Sequence, residues 1–409
     1  MAALSMLAVV GLTLTACTSG NAGSGNSDQN TVSPELATAV DEAVANALEL
    51  SGSTEAVVGV WQGDDKAYVR GYGEGVTGAT TFRGAQASQP VMCAMLLDLA
   101  GKGQIALGRQ VSKDLPRQAG IADISYAQLC NQTSALADFK GGFGDRFANN
   151  PTRPWPEQEL LANGLARSPL AWQGKNVYMS DTNAVLLDRA IRLKENRDTY
   201  ELLQSHVFDP AGMTATSYPD SFAETEIPKG SLKPLTYPSS GDKPVCEAGV
   251  AEITALSPSM LRGAGATLTT VTDLKDFYAK YLSGGFGDKK SAQHVTEFQP
   301  AKNPERDEAG EPTSEPDTEG TQIGFGIEKV GPLQGRAGAM TGSLTAAYSD
   351  PATGLTVVVA LNNSSAGAAF SQALAFQLAA LSGAELPWSA EDQGGRLTEL
   401  AVCQPAAEG

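Results

Sequence analysis

A polar quartet, Gln86-Ala87-Ser88-Gln89, stands directly before Pro90 and the apolar run Val91–Leu97. Proline fits the first turn of a helix, where its missing N–H leaves nothing unbonded. The run behind it is apolar on nearly every face, which predicts a buried helix within the stretch Phe82–Leu99. Free backbone N–H groups and the helix dipole favour developing negative charge at such an N-terminus, so this is a seat for a nucleophile. The quartet offers one hydroxyl, Ser88, and two carboxamides, Gln86 and Gln89. A carboxamide can hydrogen-bond, but it can neither attack nor accept a proton at neutral pH.

The elements that must position this seat follow from periodicity. Ser33-Pro34 opens a helix with Leu36, Val40, Val44, Ala47 and Leu48 at helical spacing, ending near Ser51-Gly52. Ala56–Trp61 and Lys66–Tyr72 read as a β-hairpin. The central helix ends near Gly101-Lys102-Gly103. Helices are predicted over Ser125–Cys130, Trp155–Ala166, Thr182–Leu193, Tyr200–Val207 and Thr270–Leu282, with an irregular Pro-rich segment at Ile227–Pro244. Residues 302–320 carry seven Asp or Glu against Lys302 and Arg306 and read as a solvated loop. Strands follow at Gly324–Lys329, Ser343–Ser349 and Leu355–Leu361, then a helix over Ala366–Leu381. Strands from both ends of the chain must pair in one antiparallel sheet, with the helical middle as a second lobe and a cleft between them. The expected fold is α/β with an all-α lobe: an antiparallel sheet flanked by helices, with a helical insertion.

Composition narrows the function classes. The chain has 409 residues, 42% of them hydrophobic and 18% charged, enough for one large core. A net charge of −17 argues against nucleic acid or an anionic membrane surface as partner. Leu4–Leu14 is apolar, and Leu14-Thr15-Ala16-Cys17 resembles a bacterial lipobox, so residues 1–16 read as a lipoprotein signal peptide and Cys17 as the lipidated residue. No Lys or Arg precedes the apolar run, which a start further upstream would explain; a buried N-terminal helix is the alternative. Residues 17–33 read as a flexible Gly/Ser/Asn linker, 34–386 as one domain with its helical lobe at about 111–285, and 387–409 as a tail. The expected location is extracytoplasmic, on the cell membrane.

Four further cysteines, Cys93, Cys130, Cys246 and Cys403, suit two disulfides in an exported chain. Three connectivities are open, and Cys93–Cys130 with Cys246–Cys403 is favoured; free buried thiols are the alternative. Their spacing fits no zinc pattern, and with His206 and His294 as the only histidines no metal or other cofactor is implied.

Six segments, in order, resemble the serine β-lactamase and penicillin-binding-protein superfamily, closest to its class C β-lactamase and D,D-carboxypeptidase branch. Phe82-Arg83 runs through the central helix to Gly103–Leu107 and Val111–Pro116 in that family's pattern. Ile124–Leu136 is similar to its helix ending in His-Thr-Ser-Gly-Leu, and Phe208–Thr214 to its Pro-Leu-Gly-Met segment. Gly263-Ala264-Gly265 with Thr269–Leu274, then Gly324-Phe325-Gly326, then Asp350–Asn362 complete the set. The resemblance implies a β-lactamase/transpeptidase-like fold and three chemical motifs. The first, Ser-x-x-Lys, pairs a nucleophile with a base one helical turn away; its positions hold Gln86 and Gln89. The second, Tyr-x-Asn, is occupied by Met179-Ser180-Asp181, and a shift of one would offer Tyr178. The third, Lys-Thr-Gly or His-x-Gly, is matched by Arg336-Ala337-Gly338, which keeps a cation that can attract an anion but cannot accept a proton. A literal Ser-x-x-Lys at Ser240–Lys243 lies in a Pro- and Gly-rich loop without a buried helix behind it.

Loss of every proton-handling group from three separated motifs points to a degenerate, catalytically inactive member. The expected role is binding a cell-wall fragment, peptide or protein partner through the old cleft. The alternative is an active serine hydrolase of esterase, β-lactamase or D,D-peptidase type with a rearranged site at Ser88 or Ser180. A third reading is a scaffold whose cleft is filled by Gln86 and Met179.

Overall fold

The computed structural model describes residues 28–404, apart from 145, 242 and 264. The signal peptide, Cys17 and the first part of the expected linker lie outside the described residues. The fold centres on a nine-stranded, wholly antiparallel sheet. Its strands are β1 (Gln29–Asn30), β2 (Ala56–Gln62), β3 (Lys66–Tyr72), β4 (Gln299–Pro300), β5 (Gln322–Ile323), β6 (Glu328–Val330), β7 (Leu333–Met340), β8 (Ser343–Asp350) and β9 (Leu355–Leu361). Their order across the sheet is β1-β3-β2-β9-β8-β7-β6-β5-β4. The first hairpin therefore pairs with the last strand, Val58 opposite Val359, closing the two ends of the chain on each other.

The period of two in the strands sorts their side chains between two cores. Val58, Val60, Val357 and Val359 face one core, shared with α1 (Pro34–Ser51). Val57, Val358 and Ala360 face the other, shared with α2 (Pro90–Gly101). Next in the chain are α3 (Glu157–Leu165), α4 (Asp181–Glu195) and α5 (Val271–Leu282), which belong with α2 to the second core. The chain closes with α6 (Ala368–Leu381) and α7 (Ala390–Glu399), which join α1 in the first core. The helix α2 is buried along its length from Pro90 to Leu97, as its all-round apolar sequence requires. Disulfides join Cys93 to Cys130, tying α2 to the Tyr126–Cys130 turn of helix, and Cys246 to Cys403, tying the Pro-rich segment to the tail.

Several boundaries differ from the sequence reading. The expected linker gives way to structure before residue 33: Gln29 and Asn30 pair with Val69 and Tyr68. The tail 387–409 contains α7, opened by a Ser389–Asp392 capping box and anchored by buried Leu397. The expected strand Gly324–Lys329 shrinks to its end, where β6 begins at Glu328, and the sheet gains β7, of eight residues, and β4 and β5, of two residues each and too short to show a period. The acidic segment 302–320 is exposed but tethered. Asn303 exchanges hydrogen bonds with the backbone of Val177, and Arg306 Nε donates to Asn176 Oδ1 at 2.7 Å. The Pro-rich segment carries short strand pairs, among them Ser239–Ser240 against Lys243–Pro244.

Candidate functional site

Ala85 and the first three residues of the polar quartet form a single 3-10 turn, Ala85–Ser88, and Gln89 follows as the N-cap of α2. Ala85 holds φ at 47°, a left-handed conformation that a non-glycine residue adopts only when its surroundings impose it. Two close backbone approaches impose it. A Cβ on Gly265 would lie 2.3 Å from the Ala85 carbonyl, and one on Gly338 would lie 2.2 Å from the Gln86 nitrogen. Tyr278 on α5 donates its hydroxyl proton to the Ala87 carbonyl at 2.8 Å and fixes the turn from below. The seat is thus built by α2, by β7 and by the loop before α5.

Gln86 fills that seat with its carboxamide. Ala339 N–H on β7 donates to Gln86 Oε1 at 2.9 Å, and Gln86 Nε2 donates to Asp181 Oδ2 at 2.7 Å. Gln89, one turn on, donates from Nε2 to Asp181 Oδ1 at 3.3 Å and leaves its own Oε1 buried without a partner. Asp181 is the first residue of α4, where a carboxylate suits the dipole, and Ser180 is its N-cap, accepting from Thr182 N–H at 3.2 Å. Gln132, in the segment similar to the His-Thr-Ser-Gly-Leu run, accepts from both Ser180 N–H and Asn183 Nδ2 and holds this helix start in place.

Asp181 brings a carboxylate to the second motif position, and a lysine that the sequence did not single out meets it. Lys140 Nζ lies 2.7 Å from Asp181 Oδ2 and 3.5 Å from Asp138 Oδ2. Burial opposes ionisation of Asp181, yet Lys140 and Arg336 together hold its pKa below the usual carboxylate value. Burial and the Asp181 charge push Asp138 the other way, upward. Burial alone would lower Lys140, but Asp181 and Asp138 raise it. Asp181 therefore stays ionised, held by three donors, and is not a free base. Lys140 was invisible in the sequence because its partner is 41 positions away (181 − 140) on a different element. Its only local sign is Asp138, which caps its own short turn by accepting from Lys140 N–H at 2.9 Å.

The remaining motif positions surround an open cavity of about 220 Å³ lined by Gln86, Lys140, Met179, Asp181, Arg336 and Ala339, among others. Met179 is 40% exposed and lies at the mouth. The cleft is therefore not filled by Gln86 and Met179. Tyr178 does not line this cavity, and its hydroxyl accepts from Asn176 Nδ2 at 3.3 Å. Arg336 is only 5% exposed and has no hydrogen bond or ion pair among the described residues, with Nη1 buried and unpartnered. Gly338 serves the close approach to Gln86 already described. Ser88, 1% exposed, donates to Ala85 O at 3.0 Å, and Ser180, 2% exposed, lines the cavity while its Oγ accepts from Thr182 N–H as the helix cap. Ser240 sits on the separate short hairpin, outside the cleft.

Chemically, the arrangement can bind and hold charge. Among the described residues, the positions of the Ser-x-x-Lys pair hold carboxamides, and the Ala339 N–H that faces the seat donates to Gln86 Oε1.

Comparison with known proteins follows the same lines. The family model described as Beta-lactamase matches residues 40–381. The "Putative penicillin-binding protein PbpX" of Bacillus subtilis (strain 168) is 24% identical over 218 residues, covering 53% of this chain and 50% of that protein. The match thus spans about half the length of this curated relative. A D-stereospecific amidohydrolase from Streptomyces sp. superposes with a TM-score of 0.65 at 23% identity, covering 81% of this chain and 94% of that one. A penicillin binding protein from Bacillus halodurans gives a TM-score of 0.63 at 15% identity, covering 84% and 98%. At these identities the two structures establish the fold.

Proposed function

The chain belongs to the beta-lactamase family, and from that premise we propose that it is a non-hydrolysing member whose cleft binds a cell-wall fragment, a peptide or a protein partner. The protein would be exported and held at the membrane by a lipid on Cys17. The observation that carries the reading is the Gln86 carboxamide, bonded on one side to Ala339 N–H and on the other to Asp181. It stands where the family's acyl chemistry needs a hydroxyl and an open oxyanion donor. Activity through Ser88 or Ser180 would require either buried serine to leave its local bond.

Arg336 supports binding rather than a closed cleft. It is a buried guanidinium with no bonding partner, at the edge of an open cavity. Asp181 offsets part of its charge without bonding it, and a ligand carboxylate would supply the charge-assisted hydrogen bonds that the guanidinium lacks. The test is a thermal-shift titration with cell-wall peptides bearing a free carboxylate, beside their amidated forms. The free acids should raise the melting temperature and the amides should not, and Arg336→Gln should abolish the shift. Equal shifts from acid and amide, or none from either, would sink this assignment.

A further inference from the structure

A larger cavity, about 590 Å³, opens in the helical lobe between the start of α3 and the second half of α4. Arg189 and Arg192 line it, 8 and 11 positions after Asp181 (189 − 181 and 192 − 181), so roughly 12 and 16 Å along the helix from the cleft. Three guanidinium groups there surround the buried carboxylate of Glu157, and Asp188, also buried on α4, places a second carboxylate near Arg192 and Arg262. Arg189 Nη1 bonds Glu157 Oε1, Arg192 Nη2 donates to Glu157 Oε2 at 2.9 Å, and Arg262 Nη1 lies 4.0 Å from Glu157 Oε2. Arg262 is also stacked on Phe222, its Cζ 3.8 Å from the ring centroid, and cannot swing freely into solvent.

This leaves an excess of donors. The Nε atoms of Arg189, Arg192 and Arg262 and the Nε1 of Trp155 are all buried without acceptors. Arg189 Nη2 and Arg192 Nη1 have no hydrogen-bond partner among the described residues either. The buried Nε–H and indole N–H groups lie away from the cavity, but the Nη groups of the lining arginines that Glu157 does not take can meet a ligand rich in acceptor oxygens. A planar carboxylate, Glu157, already takes the in-plane contacts. A tetrahedral group with oxygens on several sides suits the guanidinium groups left over. Asp198 and Asp220 stand exposed among the lining residues and disfavour a long polyanion, while the volume exceeds what a bare phosphate needs.

The geometry points to a second binding site, separate from the cleft, for a small phosphate ester whose phosphoryl oxygens meet Arg189, Arg192 and Arg262. The site is independent of the reading given to Gln86 and Arg336.

The test is calorimetric titration with inorganic phosphate, glucose 1-phosphate and malonate against the full chain. Both phosphates should bind saturably, the ester at least tenfold tighter than inorganic phosphate, and malonate at least tenfold weaker than either. Arg192→Gln and Arg262→Gln should each weaken binding tenfold or more, with melting curves confirming that the variants fold. Asp220→Asn, an exposed change that leaves the lobe intact, should tighten binding two- to threefold. Absence of saturable binding, malonate matching phosphate, an ester no tighter than phosphate, or unchanged affinity in the two arginine variants would each overturn the proposal. So would loss of phosphate binding in Arg336→Gln, which would move the anion to the cleft.

Discussion

At the scale of single residues, Gln86 and Gln89 were legible as carboxamides in a nucleophile's place, because the seat is local in sequence. What they touch was not. Lys140 and Asp181 meet across the helical lobe, and no local pattern joins them. That contact bears on back-substitution. Gln86→Ser with Gln89→Lys installs a hydroxyl and an amine, but the amine would share Asp181 with Lys140, and Met179 would still offer no proton shuttle. The double variant should remain several powers of ten below an intact family site, since the groups of such a unit act together; near-family turnover with an ester or β-lactam substrate would show that the cleft is otherwise competent. A second prediction concerns Asp188, buried on α4 with one oxygen bonded to Thr199 and the other unpartnered. Burial pushes its pKa up from 3.8 to about 6. The folded state therefore holds its proton more tightly than the unfolded chain, and stability is lost as pH rises from about 4 to 6. The linkage amounts to at most about 3 kcal/mol. Asp188→Asn should flatten this part of the stability-versus-pH curve measured by urea unfolding, and parallel curves for the two proteins would refute the assignment.

At the scale of elements, pattern showed most of the longer helices and strands but missed β7, whose Gly- and Ala-rich run LQGRAGAM has little apolar contrast. The helices over 181–195 and 271–282 have apolar positions that repeat at helical spacing, the helix over 90–101 is apolar on nearly every face, and the hairpin over 56–72 has strand-like runs on either side of a polar turn. The two- and three-residue strands at 29–30, 299–300, 322–323 and 328–330 carry no period, so they take their form from the edges they complete. Helix α7 escaped notice because its apolar stripe is thin and its capping box lies in a charged stretch. The element most exposed to a small change is β7 at Gly338. A methyl group there would meet Gln86 N at 2.2 Å, forcing the strand and the Ala85–Ser88 turn apart. Gly338→Ala should cost about 1–3 kcal/mol by overpacking and should lower the urea midpoint. An unchanged midpoint would mean that the strand and turn yield easily.

At the scale of the whole molecule, both ends of the described residues are tied into the sheet and its helices. The hairpin β2–β3 pairs with β9, and the tail is held by Cys246–Cys403 across a separation of 157 residues. Closing so long a loop restricts the unfolded chain, and the entropy model assigns it about 4–5 kcal/mol. The Cys246→Ser, Cys403→Ser double variant should unfold at a clearly lower urea concentration than the parent protein, and coincident curves would remove the tail from the account of stability. Beyond stability, the two cavities take residues from opposite ends of α4, one around the motif positions beside Gln86 and one around arginines. The central claim is that the first of these no longer performs acyl transfer. Its most direct test is incubation with a fluorescent penicillin and, separately, a fluorophosphonate, followed by intact-mass and peptide mass spectrometry. The account predicts no adduct on any serine; a covalent adduct on Ser88, Ser180 or another serine lining the cleft would contradict it.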